Sequence, residues 1–129
     1  MRAAVLHLME TEGELFTTVQ NAAEYWNVST RPATARGGFG RSLDQTDVQL
    51  VRIERAFTML SEDPETYAVW HDLVRRYGVS GVQVHDARIV SVMMVMGISH
   101  VLTLNPTDFA RYSEVTAVTP EQVVPQPRP

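Results

Sequence analysis

Along this chain the apolar positions switch between a helical and an alternating period, and the switches mark its elements. Val5, Leu6, Leu8 and Met9 give residues 2–12 part of a helical apolar face, closed by Gly13. Residues 15–19 read as a short strand, and Thr18 is placed to cap a helix over about residues 20–29. At about 100° per residue, Val19, Ala22, Ala23 and Trp26 share that helix's inward face and Glu24 falls on its flank. Arg31-Pro32 ends the helix, and Gly37, Gly38 and Gly40 mark a loop reaching Arg41. Ser42 with Gln45 forms a capping box for a helix to about Ala56, with Val48, Val51 and Ile53 among its apolar positions. Residues 58–60 read as a short strand, and Asp63-Pro64 opens a helix to Tyr77, stopped by Gly78.

Residues 83–112 are the most informative. A polar step carrying Asp86 opens a run, Ile89 to Met96, that is apolar almost all round. Gly97 stops it, and a β-like run over residues 100–104 ends in Asn105, Pro106 and Asp108. A last strand is expected over 115–118. Helices alternating with short strands at these spacings predict an α/β sandwich with a mostly parallel sheet. Such folds bind ligands in the crevice beyond the carboxyl ends of their strands. Two acids delivered there point to a divalent cation, Mg²⁺ or Mn²⁺, because hard cations take oxygen ligands. Glu24, whose helix follows the strand at 15–19, is the third candidate; carboxylates that converge repel one another unless a cation holds them.

Each candidate has a plainer reading. A carboxylate in a helix's first turn, as at Asp86, is favoured by the dipole alone. Asp108 fits the cap of a helical turn, Asn105 fits a turn before Pro106, and Glu24 fits a solvated surface. The glycine-rich loop is not a phosphate-binding P-loop, since no strand leads in and no Lys-Ser/Thr follows. Its plain reading is a flexible solvated loop; its functional one is contact of Arg31, Arg36 and Arg41 with an RNA backbone. His7, His71, His85 and His100 have no zinc spacing, Met93, Met94 and Met96 read as core filling, and no Ser-His-Asp or Cys-His set is present.

Composition narrows the class. At 129 residues, with 44 % hydrophobic and 20 % charged positions, the chain fits one globular domain over residues 1–119 and a loose proline-rich tail over 120–129. No apolar run reaches the length of a membrane span, and Glu10, Glu12 and Glu14 speak against a signal peptide. The absence of cysteine suits a cytoplasmic location. A net charge of −4 argues against a protein that coats nucleic acid, though not against a nuclease with a local basic patch. All 11 basic residues are arginine.

Four segments in order carry a family resemblance: Val19-Gln20-Asn21-Ala22-Ala23-Glu24-Tyr25-Trp26-Asn27, Thr30-Arg31-Pro32, Val84-His85-Asp86-Ala87-Arg88, and Leu102-Thr103-Leu104-Asn105-Pro106-Thr107-Asp108-Phe109-Ala110-Arg111-Tyr112. Together they resemble PIN domains, specifically the toxin nucleases of VapBC-type toxin–antitoxin pairs. The resemblance implies a three-layer α/β sandwich and divalent-metal-dependent cleavage of RNA phosphodiester bonds. It makes Glu24 an acidic member of the site, Asp86 a metal ligand and Asp108 the late acid, with Asn105 as polar support; Arg31 and Arg36 are the candidates for positioning substrate. It also implies a homodimer and a small antitoxin whose tail occupies the groove. In such domains a first strand, central in the sheet, ends in a ligand aspartate, and no segment of this sequence matches it. The expectation is a sheet without that strand, with unpaired edges and exposed apolar surface, from a late-assigned start or a truncated gene. Two readings therefore compete, a ribonuclease and a catalytically impaired module that binds antitoxin or dimerises. The ordered motifs set aside a plain α/β domain with no site.

Overall fold

The computed structural model describes residues 1–35 and 37–124. In chain order it contains α1 (Arg2–Thr11), β1 (Phe16–Thr18), α2 (Val19–Thr30), α3 (Leu43–Ala56), β2 (Thr58–Leu60), α4 (Glu65–Arg76), α5 (Val84–Met96), β3 (His100–Leu102), β4 (Thr116–Val118) and α6 (Pro120–Val123), with 3₁₀ turns at Gly81–Gln83 and Pro106–Phe109. The protein is α/β, as its pattern predicts. Among the described residues all strand pairing is parallel, β1 with β2 and β3 with β4, but it forms two two-stranded sheets and not one. The chain divides into two compact units, Glu14–Ser61 and Met1–Gly13 with the chain from Glu62 onward.

In the Glu14–Ser61 unit, both predicted caps form. Thr18 Oγ1 accepts from the Asn21 N–H at 3.1 Å. Ser42 and Gln45 close the capping box in both directions, at 3.1 and 3.0 Å. The helix faces differ from the prediction. Val19 is 68 % exposed and Ala23 is exposed, while Ala22, Tyr25 and Trp26 are half-buried and Ser29 is buried. Val19 stands at the first helical position, so the inward stripe begins at Ala22 and follows the i, i+3, i+4, i+7 spacing. Similarly, Val48 is 52 % exposed. Between α2 and α3 lies a buried hydroxyl pair, Ser29 Oγ to Thr46 Oγ1 at 2.8 Å, and Thr46 also bonds the Ser42 carbonyl at 2.9 Å. Burial without loss of hydrogen bonding is what makes these two hydroxyls tolerable.

The larger unit has the apolar core. Leu73 of α4, Ala87, Val90 and Met93 of α5, and Phe109, Tyr112 and Val115 beyond β3 pack into one cluster. Ser91, the polar residue inside that apolar helix, is fully buried with its hydroxyl 3.0 Å from the Ala87 carbonyl and 2.8 Å from that of Arg88. Of the three methionines read as core filling, Met93 is buried and Met94 packs against the cluster, but Met96 is 40 % exposed. Met96 is the last helical residue, followed by Gly97 at φ 72°, and the Ile98 N–H returns to the Met93 carbonyl at 2.8 Å. That left-handed glycine closes the helix and turns the chain toward β3. β3 stops at Leu102, two residues short of the predicted end, and Leu104 is 70 % exposed. The expected tail begins with a helix, α6: Thr119 and Gln122 form a second capping box, and α6 packs on α1. Residues 125–129 of the expected tail lie outside the described residues.

A polar cluster fastens the end of α4 to the turn before β4. The Tyr77 hydroxyl donates to Glu114 Oε1 at 2.5 Å and Arg76 Nη1 donates to Glu114 Oε2 at 2.7 Å. Burial alone would raise the Glu114 carboxyl, but the Tyr77 hydrogen bond and the Arg76 charge outweigh it and hold it below its ordinary value. A depressed carboxylate stabilises the fold above its unfolded pKa, and that contribution disappears as pH falls through the folded value. Replacing Glu114 by Gln is therefore expected to destabilise the protein at neutral pH. The gap from wild type should close as pH drops below the usual carboxylate range, as followed by urea unfolding at several pH values. A gap that does not change with pH would contradict this account.

Candidate active site

Asp86 is half-buried in the first turn of α5, immediately before the fully buried Ala87. The Trp70 Nε1–H donates to the Val84 carbonyl at 2.9 Å and so ties that first turn to α4. Arg88, one residue beyond Ala87, is ion-paired with Glu62. A pocket of about 500 Å³ opens beside them, lined by Glu62, Tyr67, Trp70 and Arg88 among others.

Asp108 lies in the Pro106–Phe109 turn, exposed, with its N–H bonded to the Asn105 carbonyl at 3.1 Å. Asn105 is exposed, and its own N–H bonds Thr103 Oγ1 at 3.0 Å. Phe109 and Tyr112, three residues apart, both enter the core cluster and fix this segment. Arg111 points away from the core and donates to Gln83 Oε1 at 2.6 Å, at the entry to α5. The backbones that carry Asp86 and Asp108 are thus seated on the same core and stapled together by the Arg111–Gln83 bond. Burial raises the Tyr112 hydroxyl pKa; Arg111 opposes that rise and the nearby Asp86 charge adds to it. Sequence reading had no role for Gln83, Arg111 or Tyr112. The Phe109-Ala110-Arg111-Tyr112 run held the signal, two apolar anchors at helical spacing with an arginine forced to the outside.

Glu24 belongs to the other unit, exposed on α2. Arg31 is half-buried as the residue that ends α2, its N–H bonded to the Asn27 carbonyl at 3.0 Å. Arg36 lies outside the described residues. Among the described residues no three His, Cys, Asp or Glu side chains gather as a metal-holding group. The donors present are hard oxygens. Oxygen donors of this kind suit a hard divalent cation whose shell water completes.

The end of the glycine-rich loop, read from composition as flexible, is hydrogen-bonded back to the end of α2 over residues 39–41. Phe39 N–H bonds the Val28 carbonyl at 3.2 Å, Gly40 N–H that of Arg31 at 2.8 Å, and Arg41 N–H that of Ser29 at 2.8 Å. The loop therefore folds back on the end of α2. A Cβ at Gly38 would collide with the Pro32 carbonyl oxygen and come within 2.8 Å of that of Arg31. Both obstacles are backbone, which cannot swing aside. Gly38→Ala is expected to destabilise the Glu14–Ser61 unit by about 1–3 kcal/mol, read from Trp26 fluorescence in a Trp70→Phe background. An unchanged midpoint would show that the loop is not held as described.

The PIN domain family model matches residues 1–115. The chain belongs to the PIN domain family. PIN domains are generally nucleases that act on RNA and typically use divalent metals. No curated protein matches this chain. Among the described residues no helix is long and apolar enough to cross a membrane. In this PIN domain the acid-bearing first turn of α5 and the Asp108 turn are seated on one core within the larger unit.

Proposed function

We propose that the chain is a divalent-metal-dependent endoribonuclease, the VapC-type toxin of a cytoplasmic toxin–antitoxin pair. The observation that carries this reading is Asp86, a half-buried carboxylate at a helix start, seated on the same core as the Asp108 turn. Asp86 serves as the principal ligand in this chain, with Asp108 and Glu24 as further acids and Asn105 orienting the shell. Bound there, Mg²⁺ or Mn²⁺ supplies charge neutralisation on phosphate and leaving oxygen and activates water. The protein's own part is to supply the acids, to fix the turn of α5 through Trp70, and to position the RNA backbone with Arg31 and Arg36. A homodimer and an antitoxin whose tail covers the groove complete the proposal. Cleavage of a labelled single-stranded RNA should appear with Mg²⁺ or Mn²⁺, vanish with excess chelator and return when metal is restored. Cleavage that persists in chelator would remove the metal from the proposal.

The second reading is a PIN domain that binds antitoxin or a second copy without turning RNA over. It is favoured by the lack of a three-carboxylate group among the described residues. Co-purification with a small partner, together with no Mg²⁺ heat in calorimetry, would establish it over the first.

A further inference from the structure

Phe39 is out of place by the logic of the core. Phe39 is 60 % exposed, on a loop whose backbone is bonded back to the end of α2 and its cap residue Arg31 at three points around it. The Arg41 guanidinium lies over that ring, 4.7 Å from its centroid, and Arg41 is itself exposed. An idle surface loop has no need of this construction, because a solvated phenyl contributes nothing to folding and a rigid backbone costs chain entropy. What the arrangement provides is a flat surface, an aromatic face and a planar cation held in register by a hydrogen-bonded loop. Gly38 is part of the device, since the close approach of its backbone to Pro32 shapes the loop. The charge along this stretch of the sequence has one sign. From Tyr25 to Leu43 the sequence has three arginines, Arg31, Arg36 and Arg41, and no acid, within a chain whose net charge is −4. A cation-rich segment that presents a stacked aromatic is the chemistry that takes single-stranded nucleic acid: bases stack on the ring or the guanidinium, and arginines neutralise phosphates.

We propose that Phe39 and Arg41 form a stacking platform for one unpaired base of a single-stranded RNA. The proposal rests on the ribonuclease reading and adds to it a base-contacting subsite built from residues other than the carboxylates. Stacking is tolerant of base identity because every base has a π face, so the platform grips single strands without setting a sequence.

The test is binding of a fluorescein-labelled single-stranded RNA to the full chain, by anisotropy in chelator so that the RNA stays intact. Phe39→Ala should weaken binding about 10-fold or more, Phe39→Leu should lose as much, and Phe39→Trp should keep or improve the wild-type affinity. Arg41→Lys should also weaken it, since the ammonium keeps the charge and loses the plane. An RNA of the same length with abasic sites should bind wild type and Phe39→Ala alike. Equal affinity of wild type and Phe39→Leu for intact RNA would overturn the platform, as would a Phe39→Ala defect of the same size on abasic RNA. Absence of any RNA binding by wild type would overturn it too. If Phe39-dependent binding is found and no metal-dependent cleavage is, the platform stands and the ribonuclease reading falls. If Asp86-dependent cleavage is found with no effect of Phe39 on binding, the ribonuclease reading stands and the platform falls.

Discussion

Asp86→Asn is expected to reduce metal-supported RNA cleavage by at least about 100-fold. The size follows from what such ligands do, since even the groups that merely orient a metal ligand are worth about 10- to 100-fold. Asn keeps the shape and both polar atoms of Asp and removes the negative charge, so the substitution asks about charge and not about packing. The fold should tolerate it. Ala87, the buried neighbour, is untouched, and Trp70 holds the first turn through the Val84 carbonyl, a backbone group. Removing the carboxylate near the positive end of α5 costs about 0.3–1 kcal/mol of dipole interaction. Activity and stability should therefore separate, with cleavage nearly gone and the urea midpoint close to wild type. Asp108→Asn and Glu24→Gln provide the comparison, each expected to fall less than Asp86→Asn because both acids are exposed. Retained cleavage in Asp86→Asn would leave the site assignment without its centre.

The parts of this fold that the sequence revealed are those set by local chemistry. Thr18 and Ser42 have short side chains with an oxygen three residues before the N–H that needs it, so the helix starts could be placed to within a residue. Gly97 and Asp63-Pro64 punctuate in the same way. The run from Ile89 to Met96 could be recognised as a buried helix because it has few polar positions. What stayed hidden was set at a distance. The inward face of α2 includes Ser29, a polar residue, because Thr46 of α3 offers it a hydrogen bond at 2.8 Å, and no periodicity of apolar residues can register that partnership. The grouping of strands into two pairs depends on which three-residue strand finds which partner, a non-local choice. At the candidate site, Asp86 and Asp108 were legible as acids at element ends, whereas the contact of Arg111 is with Gln83, 28 residues away. The hydrogen bonding of the glycine loop stayed hidden for a related reason. Glycines signal freedom in isolation, but Gly38 is there because the Pro32 carbonyl leaves no room for a Cβ.

The largest expected stability effect comes from Leu73. Its side chain is fully buried where α4 meets α5, in the cluster that also seats Ala87 beside Asp86 and Phe109 beside Asp108. Leu73→Ala removes its buried methyl groups and leaves a cavity that the surrounding helices fill only in part. Such changes cost about 2–5 kcal/mol, a large share of the roughly 5–15 kcal/mol that holds a typical domain folded. Leu104→Ala is the matched control, the same chemical change at a side chain 70 % exposed, and should stay within about 0.5 kcal/mol of wild type. The two tryptophans allow the loss to be localised, because Trp26 lies in the Glu14–Ser61 unit and Trp70 in the larger one. In a Trp26→Phe background, the Trp70 transition of Leu73→Ala should move to markedly lower urea with its slope unchanged, since surface exposed on unfolding sets that slope. Because the same cluster positions both acids, cleavage by Leu73→Ala should fall with the folded fraction and recover at lower temperature. Asp86→Asn should show no such recovery. A Leu73→Ala protein as stable as Leu104→Ala would mean that this core does not hold the site.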